Sequence, residues 1–171
     1  FYICSLSARS IIYKGLFLAA SLADFYPDLA NKLFESRAAI FHQRYSPSTS
    51  PQWWLAQPFR TLAHNGEINT IRGNRNWMKS HEIKMASLAF GEHSEDIKPV
   101  IPAGASDTAA LDAVFETLCR AGRDAPTAKL ILVPEAWVTN DDMPEAHKAM
   151  YNYLASVMEP WNGPAALAMT D

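Results

Sequence analysis

Two charged residues in this 171-residue chain stand where a small zwitterion could be bound. Arg44 ends an apolar stretch, and its guanidinium offers a planar fork of donors that fits a carboxylate. Asp107 lies in the segment Gly104–Thr108, where a carboxylate at a pocket rim could hold an ammonium group. Each residue also has a simpler explanation, which is a surface ion pair for Arg44 and helix capping for Asp107. Neither residue alone decides between these interpretations.

A third segment, Leu62–Asn69, contains the dipeptide Asn65-Gly66. Asn-Gly is a strong signal for a hairpin turn, and in isolation we would interpret it so. The same pair could also stabilise a developing oxyanion, because a side-chain amide and an adjacent backbone N–H can point at one oxygen. Glycine lets a substrate carbonyl approach the backbone closely.

Taken together, the three segments predict a receptor for a free amino acid. Arg44 would bind the α-carboxylate and Asp107 the α-ammonium group. Asn65 and Gly66 would lie at the side-chain carbonyl of the bound molecule.

These residues need strands and helices to position them, and the sequence predicts both. Apolar, β-branched and aromatic residues predict strands, which are Phe1–Ser7 with Ser10–Lys14 as a hairpin, Ala38–Tyr45, Thr61–His64 and Lys129–Val133. Helical spacing predicts helices over Ile68–Ser87 and Asp107–Arg120. Ser106 is the expected N-cap of the second helix, and Gly122 is expected to end it. A capping box formed by Asp142 and Glu145 predicts a third helix that runs to Met158. Because strands and helices do not alternate strictly, we expect an α+β fold with an antiparallel sheet.

Composition excludes several classes of protein. The net charge is −3, which leaves no basic excess to bind a phosphate backbone, so nucleic acid is not an expected partner. The longest apolar run, Gly15–Ala23, is roughly half of the ~20 residues that a membrane helix needs. Glycine-rich phosphate-binding motifs are absent from the sequence. Cys4 and Cys119 are interpreted as small core residues. Ser106 is a disfavoured candidate for the nucleophile of a serine hydrolase, because Thr108 stands where the G-x-S-x-G motif has its last glycine.

The chain resembles the large-subunit family of glutamate synthases along essentially its whole length. The motifs are His42-Gln43-Arg44-Tyr45-Ser46, Leu55–Arg60, Ala63–Thr70, Arg72-Gly73-Asn74, Ser106-Asp107-Thr108 and Met158–Pro164. The resemblance identifies residues 1–171 as part of a single class II glutamine amidotransferase domain of the N-terminal-nucleophile hydrolase type.

This resemblance implies a fold, a reaction and partners. The fold would be a four-layer αββα sandwich, incomplete at both ends in these residues. The reaction would be hydrolysis of L-glutamine to glutamate and ammonia, which passes to 2-oxoglutarate in a cytoplasmic enzyme of ammonia assimilation. FMN and an iron–sulfur cluster are expected elsewhere in the parent protein, with none in this chain. The partners would be the remaining synthase domains and either a small reductase subunit or ferredoxin as electron donor.

The resemblance also assigns roles to residues that agree with the reasoning above. It implies that Arg44 and Asp107 bind glutamine and that Asn65 and Gly66 form the oxyanion hole. Residue 1 is Phe, whereas the family attacks with an N-terminal cysteine. We therefore expect the chain to be an excerpt whose nucleophile lies upstream.

A second departure keeps an alternative open. Pro47 stands where the family usually has threonine, which removes a hydroxyl and a backbone N–H. Ser46, Ser48 or Thr49 could compensate for that loss. The alternative is a non-catalytic module of the same fold that binds an amino acid or a partner.

Overall fold

The computed structural model describes residues 1–43, 50–85 and 87–170. Its α-helices are α1 (Leu22–Phe25), α2 (Arg72–Glu82), α3 (Asp107–Arg120), α4 (Ala125–Leu132) and α5 (Glu145–Val157), and its strands are β1 (Leu62–Gly66) and β2 (Ala165–Met169). Short 3₁₀ helices cover Ala19–Ser21, Pro27–Ala30, Trp53–Leu55 and Gly91–Glu95. This mixture of helices with an antiparallel strand pair confirms the predicted α+β class.

The two strands pair in a register that places Leu62 opposite Met169 and Gly66 opposite Ala165. The pairing continues beyond both strands, because Thr170 N–H donates to the Thr61 carbonyl at 2.8 Å and Glu67 N–H to the Pro164 carbonyl at 3.0 Å. In an antiparallel pair, hydrogen-bonded and non-hydrogen-bonded residues alternate. The odd-numbered residues from position 61 to 67 therefore bond to β2, and the even-numbered ones direct their backbone groups to the opposite edge.

Helix α3 forms the centre of the core and packs against α4 and β1. The buried apolar side chains include Leu62 of β1, Leu111, Val114 and Phe115 of α3, and Leu132 of α4. The predicted N-cap is confirmed, since Ser106 Oγ accepts from Ala109 N–H at 3.1 Å. The predicted stop is confirmed by Gly122, which has φ +101° and donates its N–H to the Cys119 carbonyl.

One predicted strand is wrong, because residues 129–132 belong to α4. Asp124 caps this helix by accepting from Thr127 N–H at 2.7 Å, and Pro126 suits the first helical turn. Ala128, Ile131 and Leu132 are buried at helical spacing. A short apolar run has the same composition in a buried strand and in a buried helix. Here the upstream capping residue, Asp124, favours the helix.

Other predicted boundaries shift for local reasons. The described residues 1–43 contain no strand, so the hairpin at Phe1–Lys14 is wrong, as is a strand over 38–43. Positions 44 and 45 of the predicted Ala38–Tyr45 strand lie outside the described residues. The capping box is also wrong, because α5 begins after Pro144 without a side-chain cap and Asp142 N–H donates to Asn140.

Helix α2 begins later than predicted. Asn69 N–H donates to the Asn162 carbonyl at 2.7 Å, which holds the chain extended before the helix can begin at Arg72. Within the part of the chain that the structure describes, every helix is too short or too polar to cross a membrane.

Candidate active site

Asn65 and Gly66 form the end of β1 and are not a hairpin turn. Leu62 and His64 are buried on the core side of this strand, whereas the side chain of Asn65 is exposed. A cavity of about 260 Å³ lies beside Asn65. It is lined by Ile40, Phe41 and His42, by Ala63, His64 and Asn65, and by Ala166, Leu167 and Ala168.

The outer edge of β1 is occupied up to residue 64. Leu62 N–H donates to Asp112 Oδ1 at 3.1 Å, and the Leu62 carbonyl accepts from Phe59. The buried Gln57 side chain then pairs with His64 as a strand would, accepting its N–H at 2.6 Å and donating to its carbonyl at 2.9 Å. Gly66 follows in the same row, and none of the described residues accepts its N–H on this edge. The register thus directs the Gly66 N–H to the outer edge of β1.

Gly66 has a backbone conformation that requires glycine. Its φ is +152°, and a Cβ at this position would collide with the Pro164 carbonyl oxygen and lie 2.9 Å from His64 Nε2. The close approach of Pro164 and the His64 ring therefore fixes the direction of the Gly66 peptide.

Asp107 begins α3 and joins the end of β1 through two intermediate residues. Its Oδ1 accepts from Thr108 N–H at 2.7 Å and lies 3.4 Å from Thr108 Oγ1. Thr108 Oγ1 is in turn 3.2 Å from His64 Nδ1. The predicted residues Asp107, Asn65 and Gly66 are thus brought into one region of the molecule.

The His64 imidazole is buried and its pKa is lowered. Burial is the main cause, and His42 lowers the pKa further, whereas the Pro164 carbonyl and the negative charge of Asp107 raise it. Within the described ranges Nε2 has no well-directed hydrogen bond. The lowered pKa favours a neutral ring, so His64 itself does not place a positive charge beside Asp107.

Arg44 lies outside the described residues, as do Ser46, Pro47, Ser48 and Thr49. Its assigned role therefore stays a prediction.

Other sequence predictions can be compared with the structure directly. The Ser106 hydroxyl is buried and caps α3, so it is not presented to a substrate. Cys119 packs against the core as predicted, and Cys4 is half-buried near Lys14. Trp54 packs against the cluster around Phe59, whereas Trp53 is 47% exposed.

Sequence reasoning did not assign roles to Gln57 or Thr108. A glutamine before Pro58 in a proline-rich loop gives no periodic signal, so its strand-like pairing with His64 could not be predicted. Thr108 follows Asp107 directly, and this adjacency is the one feature of the sequence that could have indicated a role for Thr108 beside the Asp107 carboxylate. No cluster of three or more His, Cys, Asp or Glu side chains suited to a metal ion occurs among residues 1–43, 50–85 and 87–170.

The family model for class-II glutamine amidotransferases matches residues 1–171. The chain belongs to this family.

Similar proteins agree on a narrower group. The chain is 64% identical to the glutamate synthase [NADPH] large chain of Azospirillum brasilense, covering 100% of this chain and 11% of that protein. It is 48% identical to the glutamate synthase [NADH] of Saccharomyces cerevisiae, covering 100% of this chain and 8% of the relative. It is 46% identical to the chloroplastic ferredoxin-dependent glutamate synthase of Oryza sativa subsp. japonica, covering 99% of this chain and 11% of that protein. The chain thus spans about a tenth of the length of these relatives.

Proposed function

We propose that these residues form part of the glutaminase site of a glutamate synthase, which hydrolyses L-glutamine to glutamate and ammonia. The observation that carries the proposal is the Gly66 N–H, directed to a strand edge that lacks a described partner, beside the exposed side chain of Asn65. Two adjacent donors of this kind suit the oxyanion of a tetrahedral intermediate. The family membership and the glutamate synthase relatives support the same activity.

The proposed site binds glutamine at both ends. Asp107 accepts from the α-ammonium group, and Arg44 donates to the α-carboxylate, so that the side-chain amide reaches Asn65 and Gly66. A cysteine thiolate from outside the 171 residues attacks the amide carbon. The oxyanion is stabilised by Asn65 and the Gly66 N–H until ammonia leaves, and water then releases glutamate from the thioester.

The wider context rests on the family resemblance. We propose that residues 1–171 are part of a single domain with the four-layer αββα arrangement, in a cytoplasmic enzyme that passes ammonia to 2-oxoglutarate. FMN and an iron–sulfur cluster would be held by other domains. For the cluster, the two separated cysteines of this chain are too few for the usual set of ligands. The remaining synthase domains, with a reductase subunit or ferredoxin, would be its partners.

The test is Asn65→Ala in the full-length protein, with glutaminase kinetics as the readout. The Asn65 side chain is exposed, so its removal leaves the core packing intact. Loss of one oxyanion donor should lower kcat by about 10²–10³-fold with little change in KM. Asn76→Ala is the matched control, since Asn76 is exposed on α2 and should retain full activity.

Three outcomes would contradict parts of the proposal. A change in KM alone would show that Asn65 binds substrate uniformly and is not an oxyanion donor. Binding of glutamine without hydrolysis by the wild-type protein would favour the non-catalytic module. Glutaminase turnover by the pure 171-residue chain would refute a nucleophile from outside it.

A further inference from the structure

The His64 ring fills the space between the two halves of the candidate site. One side of the ring places Nδ1 3.2 Å from Thr108 Oγ1 at the start of α3. The other side places Nε2 so close to Gly66 that a Cβ there would lie 2.9 Å away. His64 is 3% exposed and Thr108 is 2% exposed, so water does not compete for these contacts.

The order of donors along this chain of contacts follows from the chemistry of a hydroxyl. Thr108 has one hydroxyl proton and two acceptor lone pairs. When that proton points to Asp107 Oδ1, 3.4 Å away, Oγ1 is free to accept from the Nδ1–H of a neutral His64. The backbone N–H of Thr108 holds the same Asp107 oxygen at 2.7 Å. One carboxylate oxygen of Asp107 is thereby held by Thr108, and its other oxygen can be presented to a ligand.

We infer that Thr108 and His64 are positioning residues, which hold the ammonium-binding carboxylate of Asp107 at a fixed place relative to the oxyanion donor Gly66. This inference rests on the proposed function and adds a determinant of glutamine affinity to it. Thr108 orients the carboxylate, and the His64 ring keeps the start of α3 at a fixed separation from the end of β1. Neither residue touches the substrate.

The charged and titratable groups that face His64 are few in the described structure. Asp107 faces it from α3, and His42 faces it from the segment that precedes Arg44. A protonated His64 would place a positive charge beside Asp107 and compete with the substrate ammonium group. The buried neutral ring avoids this competition at neutral pH.

The test compares Thr108→Val with Thr108→Ser in the full-length protein, using steady-state glutaminase kinetics. Valine has the shape of threonine but lacks the hydroxyl, so KM for glutamine should rise about tenfold while kcat changes less than twofold. Serine retains the hydroxyl and should restore KM to within about twofold of the wild type. A purely structural role for Thr108 would reduce the amount of active enzyme and leave KM unchanged.

The outcomes separate this inference from the proposed function. If the wild-type protein has no glutaminase activity, the proposed function fails. If the wild type is active and the valine and serine variants have equal KM values, the positioning role is wrong. Should Thr108→Val fail to fold, Thr108→Ala against Thr108→Ser decides in the same way, because these two variants also differ by one hydroxyl.

Discussion

Gly66 combines a conformational requirement with a chemical one. At φ +152° its peptide turns the N–H away from β2, and the Pro164 carbonyl occupies the space that a side chain would need. An oxyanion donor at this position therefore depends on glycine, because a side chain would not fit in the conformation that directs the N–H outward.

Replacement of Gly66 by alanine should be costly for stability. The added Cβ would meet the Pro164 carbonyl group and the His64 ring, so Gly66→Ala should lower the free energy of unfolding by about 3 kcal/mol. Gly91→Ala is the control, because Gly91 also has positive φ (+50°) but nothing lies within 4 Å of a Cβ there. That variant should lose about 1 kcal/mol. Equal losses in urea denaturation would show that the clash with Pro164 is not a real constraint.

Helix α3 and strand β1 are joined by the buried carboxylate of Asp112. Asp112 Oδ1 accepts from Thr61 N–H at 2.9 Å, from the Thr61 hydroxyl at 2.6 Å and from Leu62 N–H at 3.1 Å. Burial raises the pKa of this carboxyl, although the hydrogen bonds from Thr61 and Leu62 lower it. Asp112 thus fixes the start of β1 on the helix whose first residue is Asp107, which aligns the two halves of the site.

Removal of the Asp112 carboxylate should weaken the attachment of strand β1 to helix α3. Asp112→Ala leaves buried N–H groups without an acceptor, so the free energy of unfolding should fall by about 3 kcal/mol. Asp112→Asn retains one acceptor oxygen and should lose less. Thermal unfolding followed by circular dichroism measures both variants, and an alanine variant as stable as the wild type would contradict the role of Asp112.

The elements that position the site were partly predictable from sequence. Helix α3 was predicted because its apolar stripe, its N-cap Ser106 and its stop Gly122 agree with one another. The composition predicts a strand at Thr61–His64, and the structure has it at Leu62–Gly66. Its partner at Ala165–Met169 is not predicted, because pairing over a hundred residues leaves no local signal. Helix α4 was mistaken for a strand because its apolar residues fit both periods.

The candidate site could be proposed from residue types and not from geometry. Asn65, Gly66 and Asp107 could be named from the sequence because their chemistry suits an amino acid ligand. The contacts through His64 and Thr108 could not be predicted, because they depend on how α3 packs against β1.

At the scale of the whole molecule, apolar exposure is concentrated in the first 43 residues. Phe1, Leu6, Leu18, Leu33 and Phe41 are each at least 79% exposed. The segment is nevertheless attached to the body, because the buried Lys14 ammonium lies 4.5 Å from the centre of the Phe59 ring and Arg60 donates to the Ile3 carbonyl. Burial lowers the pKa of Lys14 to about 8. The chain spans about a tenth of the length of the glutamate synthase relatives.

The proposed site is tested most sharply by whether Asp107 binds the ammonium group of glutamine. We would measure kcat/KM for L-glutamine, and the inhibition constant of 4-carbamoylbutanoate, which lacks the α-amino group, in full-length wild type and in Asp107→Asn. The site described here predicts a loss of about 10²-fold for glutamine, with a change of less than twofold for the analogue. Equal losses for both compounds would contradict it, since a residue that contacts the ammonium group cannot affect a ligand without one to the same extent.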